Sequence, residues 1–338
     1  MNPKLRKPRA SLLLLGVLLL VVFLASFVIG RFEVPLREVI RILLGQFLPL
    51  RRTWTDSMAA AVINIRLPRI LLACLVGCCL SAAGTAYQSV FQNPMAAPDI
   101  LGASSGACFG AALAILLGLS RTGITIAAFL FSLLTIAFVY LIASRSRKHQ
   151  TVNILLAGVM VSSLFSAGTS YIKLVADPAN QLPAITYWLM GSLSGSRMRD
   201  IAFVIVPMLL GLIPLLLLRW RINLLMLSEE ESHAVGVNTA RLRLTVIISA
   251  TLLTAASVSV SGMIGWVGLV IPHICRRLVG SNCRYLIPAS MIFGAVFMLL
   301  VDNVSRNLLA VEIPIGILTA FIGAPFFISL MMRKGGSL

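Results

Sequence analysis

Long apolar runs broken by short polar clusters make up most of the chain, and the length of the runs decides what they are. Residues 11–30 form the first, behind Lys4, Arg6, Lys7 and Arg9. A basic flank and an apolar run also describe a signal peptide. Here no small-residue cleavage site follows and further runs do, so a retained first span with its N-terminus inside is expected. About 20 apolar residues suffice to cross a bilayer. On that measure a second span covers about 66–90, after an outer segment 31–65 whose residues Glu33 to Arg41 suit an interfacial helix. A Pro-rich inner turn, 92–102, leads into the third span. The fourth to seventh spans fall at about 124–143, 152–175, 200–218 and 244–263, with a short outer helix expected around Leu182 to Met190. A short eighth element, 268–279, is interrupted by Pro272, and the ninth and tenth cover about 285–304 and 314–332. Ten spans with both termini cytoplasmic result. Gly102, Gly106 and Gly110 recur every fourth residue, which places a groove of small residues on one helix face for a close neighbour.

Composition agrees. Of 338 residues 59% are hydrophobic and 12% charged, which excludes a soluble globule and indicates an all-α polytopic membrane protein. No repeat, soluble domain or low-complexity linker breaks the pattern, so 1–338 reads as a single transmembrane domain. The net charge of +17 suggests nucleic acid at first sight. The basic residues cluster in the loops expected to be cytoplasmic, where membrane proteins accumulate them, and no nucleic-acid role is assigned. The six cysteines lie mostly inside apolar runs, without zinc spacing or loop pairing, and read as small fillers.

The most polar stretch inside the chain is Arg219 to Arg243, between the sixth and seventh spans. Ser228 with Glu231 forms a capping-box pattern, so a short helix is expected from Glu229, with Glu229, Glu230 and Glu231 at its positive end. Gly236 suits a left-handed stop, and Asn238 or Thr239 a cap for a second short helix. Such a segment is either a docking surface or a solvated loop.

Little else carries chemistry. There is no phosphate-binding Gly-x-x-x-x-Gly-Lys-Ser/Thr loop, no HExxH and no paired His/Cys signature, so neither catalytic residue, metal nor cofactor is assigned. His149, His233 and His273 are isolated. Asp302 and Glu312 are the acidic residues near span ends; a self-powered carrier keeps carboxylates near mid-bilayer for its driving ion. A transporter without them needs an energy source docked from outside, and the acidic inner loop is where one could dock. On the outer side, Arg66, Arg69 and Arg306 suit either pairing with carboxylates of a soluble partner or anchoring at lipid headgroups.

Several segments together resemble a known family: Arg66-Leu67-Pro68-Arg69, the run Gln92 to Gly102 (QNPMAAPDILG), Leu155 to Val159 (LLAGV), Gly265 to His273 (GWVGLVIPH), Pro314-Ile315-Gly316 and Gly323 to Phe326 (GAPF). The chain resembles, from about residue 60 to 334, the permease subunits of bacterial ABC importers for iron-siderophore complexes, haem and cobalamin, the FecCD-type or type II importers. The resemblance implies a ten-helix subunit of the bacterial cytoplasmic membrane, paired with a second permease as homodimer or heterodimer. It further implies two ATPase subunits inside, a substrate-binding protein outside and a metal chelate, above all a ferric siderophore, as cargo. By the same resemblance Ser228, Glu229, Glu230, Glu231, His233 and Gly236 couple to the ATPase. Arg66, Arg69 and Arg306 receive the binding protein, and Thr151 with Asn153 belongs to an inner gate. Ser228 and Ser232 stand where the family usually has Gly and Ala, and Gln92 replaces a frequent Arg. A secondary carrier and a non-transporting scaffold are the rival readings.

Overall fold

A computed structural model describes residues 8–49, 51–145, 150–226 and 237–334. It is all-helical, with no strand among the described residues. In chain order the helices are α1 (Pro8–Val28), α2 (Leu36–Leu44), α3 (Asp56–Val90), α4 (Ala103–Leu116), α5 (Arg121–Ser144) and α6 (Gln150–Val175). There follow α7 (Gln181–Leu189), α8 (Met198–Leu218), α9 (Thr239–Ser261), α10 (Val267–Val279), α11 (Cys283–Asn307) and α12 (Ile315–Lys334). Among the described residues seven of them, α1, α3, α5, α6, α8, α9 and α11, are long and apolar enough to cross a membrane. The chain is a multi-pass membrane protein; α4 and α10 are shorter helices packed against the long ones, and α12 is apolar over 315–329.

Burial sorts the long helices. The apolar windows of α3 and α9 are 78% and 72% buried, whereas those of α1, α5 and α8 are 28% buried. The first two are the core; the others turn most of their surface outward, as a lipid-facing helix does. Lipid gives little hydrophobic drive between helices, so contact depends on close backbone approach. Gly77 lies against the backbone of Gly294 on α11, and Gly84 against that of Gly268 on α10; a Cβ at either would overlap a carbonyl. Two of the three glycines predicted to share one face, Gly106 and Gly110, do so against α5; Gly102 is the left-handed N-cap of α4 and meets a different helix. Gly106 and Gly110 receive Thr135 and the Ala127 carbonyl of α5, and Gly102 receives Ser162 of α6.

Helix ends differ from the sequence expectation in instructive ways. The second span begins at Asp56, not Arg66, because Thr55 caps it (Met58 N–H to Oγ1, 3.3 Å) and the helix accommodates Pro68. Pro68 lacks a donor and crowds the carbonyl four residues back. The preceding residues Ala61–Arg66 widen into a π-helix, which absorbs that mismatch. The interfacial helix starts at Leu36 because the residue before Pro35 is disfavoured in the helical region. Pro272 does not interrupt α10, which runs through it. The carbonyl that Pro272 cannot serve, that of Gly268, is approached by Gln88 Nε2 at 3.5 Å. Asn238 caps α9 itself (Arg241 N–H to Oδ1, 2.9 Å), so the helix it starts is the seventh span and not a second short helix feeding into it. Ahead of α7, the Asp177 carboxylate accepts from Asn180 Nδ2 and from the N–H groups of Ala179 and Asn180, which holds its pKa below the ordinary value.

Two stretches of irregular backbone lie at membrane depth. α4 has 14 residues, about 21 Å at 1.5 Å per residue, too short for a hydrocarbon core of about 30 Å. Residues 92–102 make up the difference by climbing along α6: the Ile100 carbonyl meets Gly158, and Gly102 meets Ser162. The segment is a re-entrant loop and not a simple inner turn. On the other side, residues 262–266 join α9 to the 13-residue α10, with Gly262 and Trp266 both at positive φ (68° and 70°).

Candidate functional site

The three outer arginines converge. Arg69 Nε donates to Asp302 Oδ1 at 2.8 Å, and Arg69 Nη1 reaches both oxygens of Glu312 at 2.9 Å. Arg306 Nε lies 3.2 Å from the other oxygen of Asp302, and its Nη2 donates to Asn303 Oδ1. Arg66 donates to the carbonyls of Phe27 and Phe32, fastening α3 to the end of α1. Arg31 joins in through the carbonyls of Arg306 and Leu309. Asp302 is fully buried, and all three predicted arginines are buried within the chain. A cavity of about 200 Å³, lined by Arg31, Arg66, Arg69, Arg306 and Glu312 among others, opens at the cluster. Cations outnumber carboxylates there, and Arg69 Nη2 is buried without a hydrogen-bond partner.

A larger cavity, about 470 Å³, lies between the two irregular segments. Its inner end is formed by Ala97, Pro98 and Asp99 of the re-entrant loop with Leu80 of α3. Trp266 and Gly268 form one wall, and Lys173 of α6, α7 and the start of α12 close the outer part. Non-helical backbone at membrane depth survives only where protein buries it or where it borders a water-filled space. Both irregular segments border this one. Asp99 falls in the stretch that sequence alone places in an inner turn, and no sequence pattern marks Lys173. The signal that would have found Asp99 is the shortness of the apolar run that follows it.

At the inner side, Thr151 and Asn153 lie in the first turn of α6, Asn153 half-buried. Ser228, Glu229, Glu230, Glu231, His233 and Gly236 lie outside the described residues. Their flanks are described. A 3₁₀ turn at Arg221–Met226 precedes them. Gln92 Nε2 donates to the Leu225 carbonyl at 2.6 Å, and Asn223 accepts the Cys283 N–H at 2.8 Å. The segment entering this loop is thus tied to the base of the re-entrant loop and to the turn between α10 and α11.

Comparison with known proteins decides the family. The FecCD transport family matches residues 18–333. The chain belongs to this family. It is 43% identical to a molybdate import system permease protein of Haemophilus influenzae, over 96% of this chain and 97% of that protein. It is 41% identical to a probable iron chelatin transport system permease protein of Helicobacter pylori, over 83% of this chain and 85% of that one. A solved structure described as an inward-facing, metal-chelate type ABC transporter shares 41% identity and superposes with a TM-score of 0.85 over 95% of this chain and 98% of its own. Other relatives are named as permease proteins for cobalamin, hemin and Fe(3+)-citrate. As a FecCD protein the chain is an ABC transporter permease subunit and not a catalytic one.

Proposed function

We propose that this chain is the membrane-spanning permease of an ATP-driven importer that moves a metal chelate, most simply a ferric siderophore, across the bacterial cytoplasmic membrane. It would act as one ten-pass domain with both termini cytoplasmic, paired with a second permease, two ATPase subunits inside and a substrate-binding protein outside. The observation that carries the reading is the cavity of about 470 Å³ held between two broken backbone segments in the apolar layer. It is large enough for part of a chelate and is bordered mainly by apolar side chains, with Asp99 and Lys173 as its two charged lining residues. A secondary carrier is less well supported: Asp302 and Glu312 are neutralised by Arg69 and Arg306 and are not free to hold a driving ion.

In this reading residues 227–237 enter the ATPase. Movement there would reach the re-entrant loop through the Leu225–Gln92 and Asn223–Cys283 hydrogen bonds. Arg66, Arg69 and Arg306 would receive acidic residues of the binding protein, a role supported by the excess of cations around the outer cavity. Thr151 and Asn153 would sit at the inner gate. A second reading, an oxyanion cargo, is favoured by the molybdate relative.

The test is reconstitution of the full importer in vesicles, with ATP hydrolysis and uptake of a labelled chelate measured together. Replacing Glu229→Lys and Glu230→Lys is expected to leave hydrolysis and abolish uptake. Full uptake by that variant would remove the coupling assignment, and uptake driven by a gradient without ATP would replace the importer by a carrier.

A further inference from the structure

The larger cavity carries charge at both ends. Asp99 sits at membrane depth, next to Ile100, whose carbonyl packs on Gly158 of α6. Lys173 lies fifteen residues further along the same helix, about 22 Å higher at 1.5 Å per residue. Among the residues lining the cavity these are the two charged ones, and neither has an ion-pair partner among the described residues. Between them the wall is apolar, with Trp266, Met190 and Ile317, and carries the hydroxyls of Ser104, Thr186 and Thr254.

A carboxylate in the apolar layer is expensive unless it meets water or a partner. Asp99 is exposed to the cavity, and its Oδ1 accepts the Ser104 N–H at 3.0 Å at the start of α4. Capping alone does not account for it. Asn or Ser would cap a helix as well without bringing a charge to this depth. Asp99 thus brings to the cavity wall a charge that capping does not require.

We infer that the cavity is a polarised cargo site, in which Asp99 receives a cationic or N–H-bearing edge of a bulky chelate and Lys173 receives its anionic or carbonyl-bearing edge. This rests on the importer reading and narrows its cargo. A bare oxyanion is attracted to Lys173 and repelled by Asp99, so it is disfavoured despite the molybdate relative. A chelate with both kinds of edge is matched at both ends.

The electrostatic half of the inference is testable without knowing the cargo. In the full-length chain in lipid nanodiscs, Ala97→Cys and Thr186→Cys place a thiol near each end. Each is reacted with a trimethylammonium and a sulfonate methanethiosulfonate of similar size, and the signal of the parent with its native cysteines is subtracted. At position 97 the cationic reagent is expected to gain about tenfold over the anionic one, relative to free thiol, as a unit charge a few ångströms away dictates. Asp99→Asn, which keeps the acceptor for Ser104, should abolish that preference. At position 186 the preference should reverse and should vanish with Lys173→Gln. Equal ratios at both positions, or ratios untouched by the two neutralising changes, would overturn the site. The cargo half is read in the reconstituted importer with radiolabelled ferrioxamine B, which bears a free ammonium, and radiolabelled molybdate. Wild type is expected to favour the chelate, and Asp99→Asn to shift the uptake ratio toward molybdate. Molybdate uptake that exceeds chelate uptake and is indifferent to Asp99→Asn would overturn the selection. ATP-independent uptake would count against the importer reading, while the thiol ratios still decide the polarised site.

Discussion

Asp302 joins three pieces of chain that are far apart in sequence. It holds Arg69 of α3 and Arg306 of its own helix, and through Arg69 it is linked to Glu312 ahead of α12. Arg69 and Asp302 are separated by 233 residues. Sequence reading identified each as a charge near the outer rim. It could not pair them, because pairing depends on how α3 packs on α11, and that is set by Gly77 and Gly294. Removing one partner of a buried pair leaves the other charge desolvated, which costs about 3–5 kcal/mol. Asp302→Ala is therefore expected to lower stability by about that much, read as a large drop in melting temperature of the purified chain. Glu312 is part-exposed, 29% at its side chain, so Glu312→Gln should cost about 1 kcal/mol or less. Equal melting of Asp302→Ala and wild type would mean that the cluster contributes nothing to the fold.

At the scale of elements, apolar length alone located every long helix to within about a turn, except α3 and the start of α9, which, capped by Asn238, lies five residues ahead of the expected span. The first exception has a physical cause: the first ten residues of α3 are too mixed in polarity to read as a span, and Thr55 caps them from outside the apolar run. The re-entrant loop was hidden for a different reason. Residues 92–102 have the Pro, Asn and Asp of a surface turn, and only the geometry of α4 and α6 shows that they climb into the membrane. What holds α10 beside that loop is the contact of Gly84 with Gly268, over which Pro98 also packs. Gly84→Ala must push α3 and α10 apart, with an overpacking cost of about 1–3 kcal/mol and a widened cavity. Gly16→Ala in α1, where an added methyl meets nothing within 4 Å, is the matched control. The expected result is a lower melting temperature and faster thiol labelling at Ala97→Cys for Gly84→Ala only. If both variants match wild type, the backbone contact is not what positions the loop.

At the scale of the whole molecule, orientation follows from charge. The ends of α1, α5, α8, α9, α10 and α12 that face one side carry Arg9, Arg145, Arg219, Arg241, Arg277 and Arg333 with their neighbours. By sequence, the carboxylates on that side are confined to Glu229, Glu230 and Glu231. The opposite side mixes signs, with Glu33, Glu38, Asp56, Asp177 and Asp200 among its arginines. A strongly basic side is the cytoplasmic one. On the proposed function the outer cluster would face the binding protein, and the acidic triplet, by sequence the one negative feature among the basic residues of the inner side, would meet the ATPase. Two cysteines test this orientation. Ser57→Cys lies exposed at the outer start of α3, and Ala240→Cys lies exposed in the first turn of α9. With the parent chain as background, a membrane-impermeant maleimide should label Ser57→Cys in intact cells and Ala240→Cys only after permeabilisation. The opposite pattern would invert the molecule. Arg66, Arg69 and Arg306 would then face the cytoplasm and residues 227–237 the outside, and both the ATPase coupling and the binding-protein docking would have to be reassigned.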